Sequence, residues 1–236
     1  MKSELPKVLF PVLGRPMIHW VLDALACAGV ERTIAVVGYR EELVREEICG
    51  RVGVEFATQA EQLGTGHAVQ MCKDRLAAGS DGPVLVVAGD SPLIQASSIK
   101  RLIDEFHAGQ WDCLLGTLLK DNPFGLGRIV RDSEGIFERI VEQKDASDAE
   151  KQICEVNMST YAFRRDALLW ALDRLGNNNS QGEYYLTDCP ALLLKEGKRV
   201  EAKPLLEQCE SLSINTIDEL ALVEAKMKEL GYKCEN

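Results

Sequence analysis

The feature that most constrains this chain is a rhythm. Between residues 16 and 119, short apolar runs alternate with stretches of helical period. "PMIHWVLDALACAG" (16–29) has Pro at its start, helical spacing of apolar residues and Gly at its end, a helix with a proper stop. "RTIAVVGY" (32–39) is a continuous β-branched run and predicts a buried strand. "REELVREEICG" (40–50) predicts a helix, "VEFATQ" (54–59) a strand, and "GTGHAVQMCKDRLAAG" (64–79) a helix introduced by glycines. "GPVLVVAGD" (82–90) predicts a strand, "SSIKRLIDEFHAG" (97–109) a helix and "DCLLGTLL" (112–119) a strand. Strands that are apolar throughout and separated by helices imply an α/β fold of Rossmann-like type, with a mostly parallel sheet covered by helices on both faces. After about residue 120 the rhythm changes. "GRIVRDSEGIFERIVEQKD" (127–145) predicts two strands around an Asp-Ser-Glu-Gly turn, hence a lobe with antiparallel strands. "TIDELALVEAKMKEL" (216–230) predicts a Thr-capped helix with Glu at its third position.

Charge and cysteine content narrow the function. A formal net charge of −10 argues against a nucleic-acid binder, which needs a basic face, while leaving room for a local cationic pocket. The eight cysteines form no C-x-x-C pair and sit mostly in apolar stretches, so they are read as small buried hydrophobes in a reducing compartment. No apolar run reaches the ~20 residues that span a bilayer. The expectation is a cytoplasmic protein that binds neither nucleic acid nor membrane.

The candidate chemistry lies at strand ends and in loops. Asp90 follows the most apolar run, where open α/β sheets bind ligands, and can hold a divalent cation beside phosphates or cap a helix. "QAEQLGTGHAV" (59–69) sets Gly64 and Gly66 around Thr65 between a strand and a helix. That is either a bare-backbone approach for an anion or turn chemistry. His67 is read as a packed or solvated histidine. "NNNSQGEYYLTD" (177–188) turns abruptly from polar to aromatic. It is either a ring-stacking loop or a helix start with buried tyrosines. Gly127, Glu142 and Asn157 each stand at the end of an apolar run, and together could line a polar pocket for a sugar.

These segments occur in one order: "LPKVL", "QAEQLGTGHAV", "GDSPLI", "GLGRI", "IVEQKDA", "EVN", "NNNSQGEYYLTD" and "SIN". Across essentially the whole length, the chain resembles one member of the sugar nucleotidyltransferase family. This is the uridylyltransferase domain of the bacterial bifunctional N-acetylglucosamine-1-phosphate uridylyltransferase/glucosamine-1-phosphate acetyltransferase. The resemblance implies a magnesium-dependent reaction of UTP with N-acetylglucosamine-1-phosphate, giving UDP-N-acetylglucosamine and pyrophosphate for peptidoglycan synthesis. It implies that Lys7 contacts nucleotide phosphates and that Gln59, Gly64 and Thr65 hold the uridine part. Asp90 and Asn215 would bind magnesium. Gly127, Glu142, Asn157, Tyr185 and Thr187 would surround the sugar phosphate. It divides the chain into a transferase domain, 1–215, and a C-terminal helix and tail, 216–236. Within the domain, 1–119 would bind nucleotide and 120–215 sugar.

The chain also departs from that family. It carries no hexapeptide repeats of the acetyltransferase half, so neither acetyl transfer nor a trimer through that half is expected. In the family, "M-x-x-x-L-P-K" follows an apolar strand and a glycine-rich "L-A-A-G-x-G-T-R" loop, and Met1 matches the Met after that loop. The sequence as it stands is therefore expected to be poorly stable and to have little or no uridylyltransferase activity. Other readings are a transferase for a different sugar phosphate or a non-catalytic sugar-nucleotide-binding remnant. Binding of UDP-N-acetylglucosamine without turnover would favour the remnant.

Overall fold

A computed structural model describes residues 5–79, 82–214 and 216–234. Asn215, expected at the metal, lies outside the described residues. The chain opens with two short strands, β1 (Pro11–Val12) and β2 (Arg15–Pro16), then α1 (Met17–Cys27), β3 (Thr33–Val37), α2 (Glu41–Ile48) and β4 (Val54–Thr58). Next come α3 (Thr65–Gln70), α4 (Lys73–Ala77), β5 (Val84–Val86), α5 (Ala96–Gly109) and β6 (Cys113–Leu119). The hairpin β7 (Gly127–Arg131) and β8 (Phe137–Val141) precedes β9 (Glu155–Phe163) and α6 (Arg165–Leu172). The chain ends with α7 (Cys189–Lys195), β10 (Val200–Lys203) and α8 (Ile217–Glu229).

These elements form two units built from interleaved segments: 1–58, 88–100 and 207–236 in the first, 59–87 and 101–206 in the second. In the first unit β1 and β2 pair antiparallel, and β3 and β4 pair parallel. Its core gathers Val12, Leu13, Met17, Leu93, Ile214, Val223 and Met227. Helix α8 is stapled at its start as its sequence predicts. Thr216 accepts from the Glu219 N–H, and the Glu219 carboxylate accepts from the Thr216 N–H.

The second unit holds a six-stranded sheet organised on β9. Strands β5, β6 and β7 all pair antiparallel to β9, while β10 runs parallel to β6. It follows that β5, β6, β7 and β10 point one way, and β9 is inserted against them. On one side β6 follows β9 along its length. On the other side β5 pairs with Tyr161–Phe163, and β7 pairs with Val156 and Asn157. A register shift separates the two stretches, and Ser159 sits there at φ +52. The sheet forks at this bulge, and Asn157 stands beside it, opposite both Gly127 and Thr117.

Some local expectations are corrected. The run 32–39 was expected to be a buried strand, yet in β3 only Val37 is buried. Among the described residues β3 pairs with β4 alone, so one of its edges lacks a neighbouring strand. The run 82–90 narrows to the three half-buried residues of β5. The helix expected over 64–79 divides at Met71–Cys72. There Cys72 N–H bonds to Val69 O, a tighter turn that lets Val69, Cys72 and Leu76 all be buried. All eight cysteines are free as expected, but Cys27, Cys49, Cys154 and Cys234 are exposed rather than buried. Among the described residues no helix is long and apolar enough to cross a membrane.

Candidate functional site

In the first unit the pairing of Lys7 with Asp90 depends on a turn. Pro6 has no amide hydrogen, and its carbonyl accepts from Leu9 N–H at the start of the 3-10 turn Lys7–Leu9. Lys7 Nζ donates to Asp90 Oδ2 at 2.7 Å. The two side chains are 40% and 37% exposed, so a ligand can reach both. A half-exposed carboxylate beside an ammonium suits a phosphate group and a hard cation that keeps much of its water. Asp90 therefore fits a magnesium ligand by donor chemistry, although no cluster of three or more ligating side chains occurs among the described residues.

In the second unit two segments far apart in sequence are locked together. Tyr184 N–H bonds to Leu63 O at 2.8 Å, and Gly66 N–H bonds to Tyr184 O at 2.7 Å. Leu186 N–H donates to Thr65 Oγ1 at 3.1 Å. Gly64 has φ +110, and a methyl group there would lie 2.6 Å from Tyr184 O. This close approach needs glycine. The Gln59 amide closes the glycine loop, its Nε2 donating to Gly64 O at 3.0 Å and lying 3.1 Å from His67 Nδ1. Gln59, Gly64 and Thr65 are thus brought together, and the Thr65 hydroxyl is engaged in holding the aromatic loop.

Gly127, Glu142 and Asn157 come near one another beside the forked sheet of the same unit. A methyl group on Gly127 would lie 3.0 Å from Ile140 Cγ2 and 3.5 Å from both Asn157 Cβ and Glu142 Oε1, so the glycine packs tightly on Ile140 with Asn157 and Glu142 alongside. Glu142 accepts from the Thr187 hydroxyl. Asn157 is buried; its Oδ1 accepts from Ser159 N–H at 3.2 Å, and it donates to the Tyr161 hydroxyl. Burial, the largest cause, pushes the Glu142 carboxyl above its ordinary range; Asp145 and Asp188 push the same way, and Thr187 and Arg128 oppose them. Tyr185 is buried and receives a hydrogen bond from Gln181 Nε2 at 2.6 Å. Gln181 also accepts from Lys144, and Ser180 N–H donates to Asp145 Oδ1 at 3.0 Å. The loop 177–183 is thereby tied to the segment that carries Glu142.

Sequence reading passed over Arg128. It is 1% exposed, and among the described residues its guanidinium bonds to neutral acceptors, the Leu126 carbonyl and Gln143 Oε1. Burial lowers its affinity for the proton, and Glu142 raises it. A cation inside the apolar run "GRIV" was the available signal.

A Lys–Asp pair thus stands in the first unit, and a half-buried carboxylate, Glu142, lies near a buried amide, Asn157, in the second. The chain belongs to the nucleotidyl transferase family, whose sequence model matches residues 2–206. It is 45% identical over 230 residues to the bifunctional protein GlmU of Streptococcus suis (strain 98HAH33), covering 97% of this chain and 49% of that protein. Against the bifunctional protein GlmU of Listeria monocytogenes serotype 4a it is 44% identical over 225 residues, 95% of this chain and 48% of that protein. The chain spans about half the length of the curated relatives it matches. Its fold is similar to that of apo UDP-glucose pyrophosphorylase (TM-score 0.73, 16% identity, 97% of this chain and 92% of that chain). A UDP-glucose pyrophosphorylase complexed with UDP-glucose gives the same TM-score of 0.73 at 17% identity, over 96% of this chain and 91% of that one.

Proposed function

We propose that the chain is a sugar-1-phosphate uridylyltransferase, joining UTP and N-acetylglucosamine-1-phosphate to give UDP-N-acetylglucosamine and pyrophosphate. The observation that carries this reading is the nearness of Glu142 to Gly127, Asn157 and Thr187. Glu142 accepts a sugar hydroxyl, and Asn157 and Thr187 bond the ring substituents and the N-acetyl group. Tyr185 supports the pocket wall. Gln59, Gly64 and Thr65 hold the uridine part. An oxygen of the sugar phosphate attacks the α-phosphorus of UTP in line, a new P–O bond forms, and the bond to pyrophosphate breaks. No side-chain nucleophile is required, so positioning and charge neutralisation supply the rate. Lys7 offsets the charge of the nucleotide phosphates. Asp90 and Asn215 would hold a magnesium ion, which when bound neutralises further phosphate charge.

In this reading 1–119 serve the nucleotide, 120–215 the sugar, and 216–236 form an appended helix and tail. The setting is the cytoplasm, with small-molecule substrates only. The identity to GlmU proteins supports the choice of base and sugar. The test is release of pyrophosphate from UTP and N-acetylglucosamine-1-phosphate with magnesium present. A form extended upstream through the family's glycine-rich loop is expected to release it, and Asp90→Asn in that form to release none while melting at an unchanged temperature. Near-normal release by Asp90→Asn would remove Asp90 from the site.

A further inference from the structure

Gln59 has an orientation problem that most glutamines lack. Its amide nitrogen carries two hydrogens and its oxygen none. A carbonyl can only accept, so the atom facing Gly64 O at 3.0 Å must be Nε2. The second hydrogen on Nε2 then points to the remaining neighbour, His67 Nδ1, at 3.1 Å. That bond forms only if Nδ1 carries a lone pair, which places the imidazole proton on Nε2. Both amide hydrogens are thereby used inside the protein. Gln59 Oε1 is left with no partner among the described residues, on a half-buried side chain.

We infer that His67 is a positioning residue for base selection. By accepting from Gln59 it prevents the amide from turning over, so that the site presents a fixed acceptor. This rests on the reading that Gln59 faces the nucleobase. A fixed acceptor takes the ring N–H of uracil at N3. Cytosine has a lone pair at the same ring position and is repelled. An amide free to turn would present Nε2 to cytosine and Oε1 to uracil, and would tell them apart poorly. Selectivity here comes from denying the wrong partner its complementary geometry. The His67 ring is itself steadied by Tyr184, whose ring centroid lies 6.3 Å away at a tilt of 34°. Tyr184 is in turn held by its two backbone bonds to the glycine loop.

The test compares UTP and CTP, which differ only at the base edge. Dissociation constants for both are measured by calorimetry on the unaltered chain and on Gln59→Ala, His67→Phe and His67→Asn. Phenylalanine keeps a flat ring and removes the acceptor. Asparagine can place its Oδ1 where Nδ1 stood. His67→Phe is expected to lose about tenfold of the preference for UTP, the worth of one hydrogen bond to the base edge. His67→Asn is expected to keep it. If His67→Phe retains the full preference while Gln59→Ala loses it, Gln59 reads the base and the role of His67 is overturned. If Gln59→Ala also retains it, the assignment of Gln59 to the base falls, and the inference falls with it. A measurement on the unaltered protein needs no variant to fold. The ¹⁵N chemical shifts of the His67 ring report its tautomer, and a proton found on Nδ1 would overturn the inference directly.

Discussion

Glu142 sets the sign of two opposed pH dependences. Burial first, then the neighbouring Asp145 and Asp188, hold its carboxyl above the ordinary range. Such a group binds its proton more tightly in the folded chain than in the unfolded one. Stability therefore falls as pH rises from the ordinary carboxyl range through the raised value, and is level above it. Under the proposed function ligand affinity runs the other way, because a sugar hydroxyl would donate to the carboxylate and not to the acid. Affinity is lost as pH falls through the same raised value. Glu142→Gln is expected to melt at or above the temperature of the unaltered chain at pH 7 and to weaken UDP-N-acetylglucosamine roughly tenfold, with UTP binding kept. Calorimetric melting and titration with both ligands check this, and an equal loss for both would show that the pocket is assigned backwards. Glu142 was legible because it ends the apolar run "IVEQKD". The use of the Thr65 hydroxyl was not. Its partner, Leu186 N–H, lies 121 positions along the chain, beyond any local pattern.

At the scale of elements, periodicity located α1, β3, β4, α5, β6 and the β7–β8 hairpin to within a few residues, because each has one period along its length. It gave no assignment for β9, the strand on which the second unit is organised. "EVNMSTYAF" mixes Asn, Ser and Thr with apolar residues, and the bulge at Ser159 shifts the alternation midway. Its polar groups have partners that the fold supplies, as when Glu155 accepts from the Thr117 hydroxyl of β6. Helix α8 is the contrasting case, since its cap is written in four consecutive residues. Thr216→Ala removes the hydroxyl that accepts from Glu219 N–H and is expected to destabilise the helix by about 1 kcal/mol. Hydrogen exchange reads this locally, through faster exchange of the first-turn amides of α8. Unchanged exchange would mean that packing of Val223 and Met227 alone sets the stability of that end.

For the whole molecule, alternation of apolar runs with amphipathic stretches was enough to indicate an α/β fold, and the inferred strand directions agree with a sheet in which most strands point one way. The interleaving of two units from five segments was not legible, because local periodicity says nothing about which distant segments pack together. The net charge of −10 makes the placement of cations matter. Lys7 stands beside Asp90 in one unit, and Arg128 is buried near Glu142 in the other. The proposed function has the chain recognise a uridine diphosphate sugar through its N-acetylated ring. The most direct measurement is calorimetric titration of the chain with UDP-N-acetylglucosamine, UDP-glucose and UDP. The account predicts tightest binding for UDP-N-acetylglucosamine, with the gap over UDP lost in Glu142→Gln. Equal affinity for all three ligands, or a gap that survives in Glu142→Gln, would contradict it.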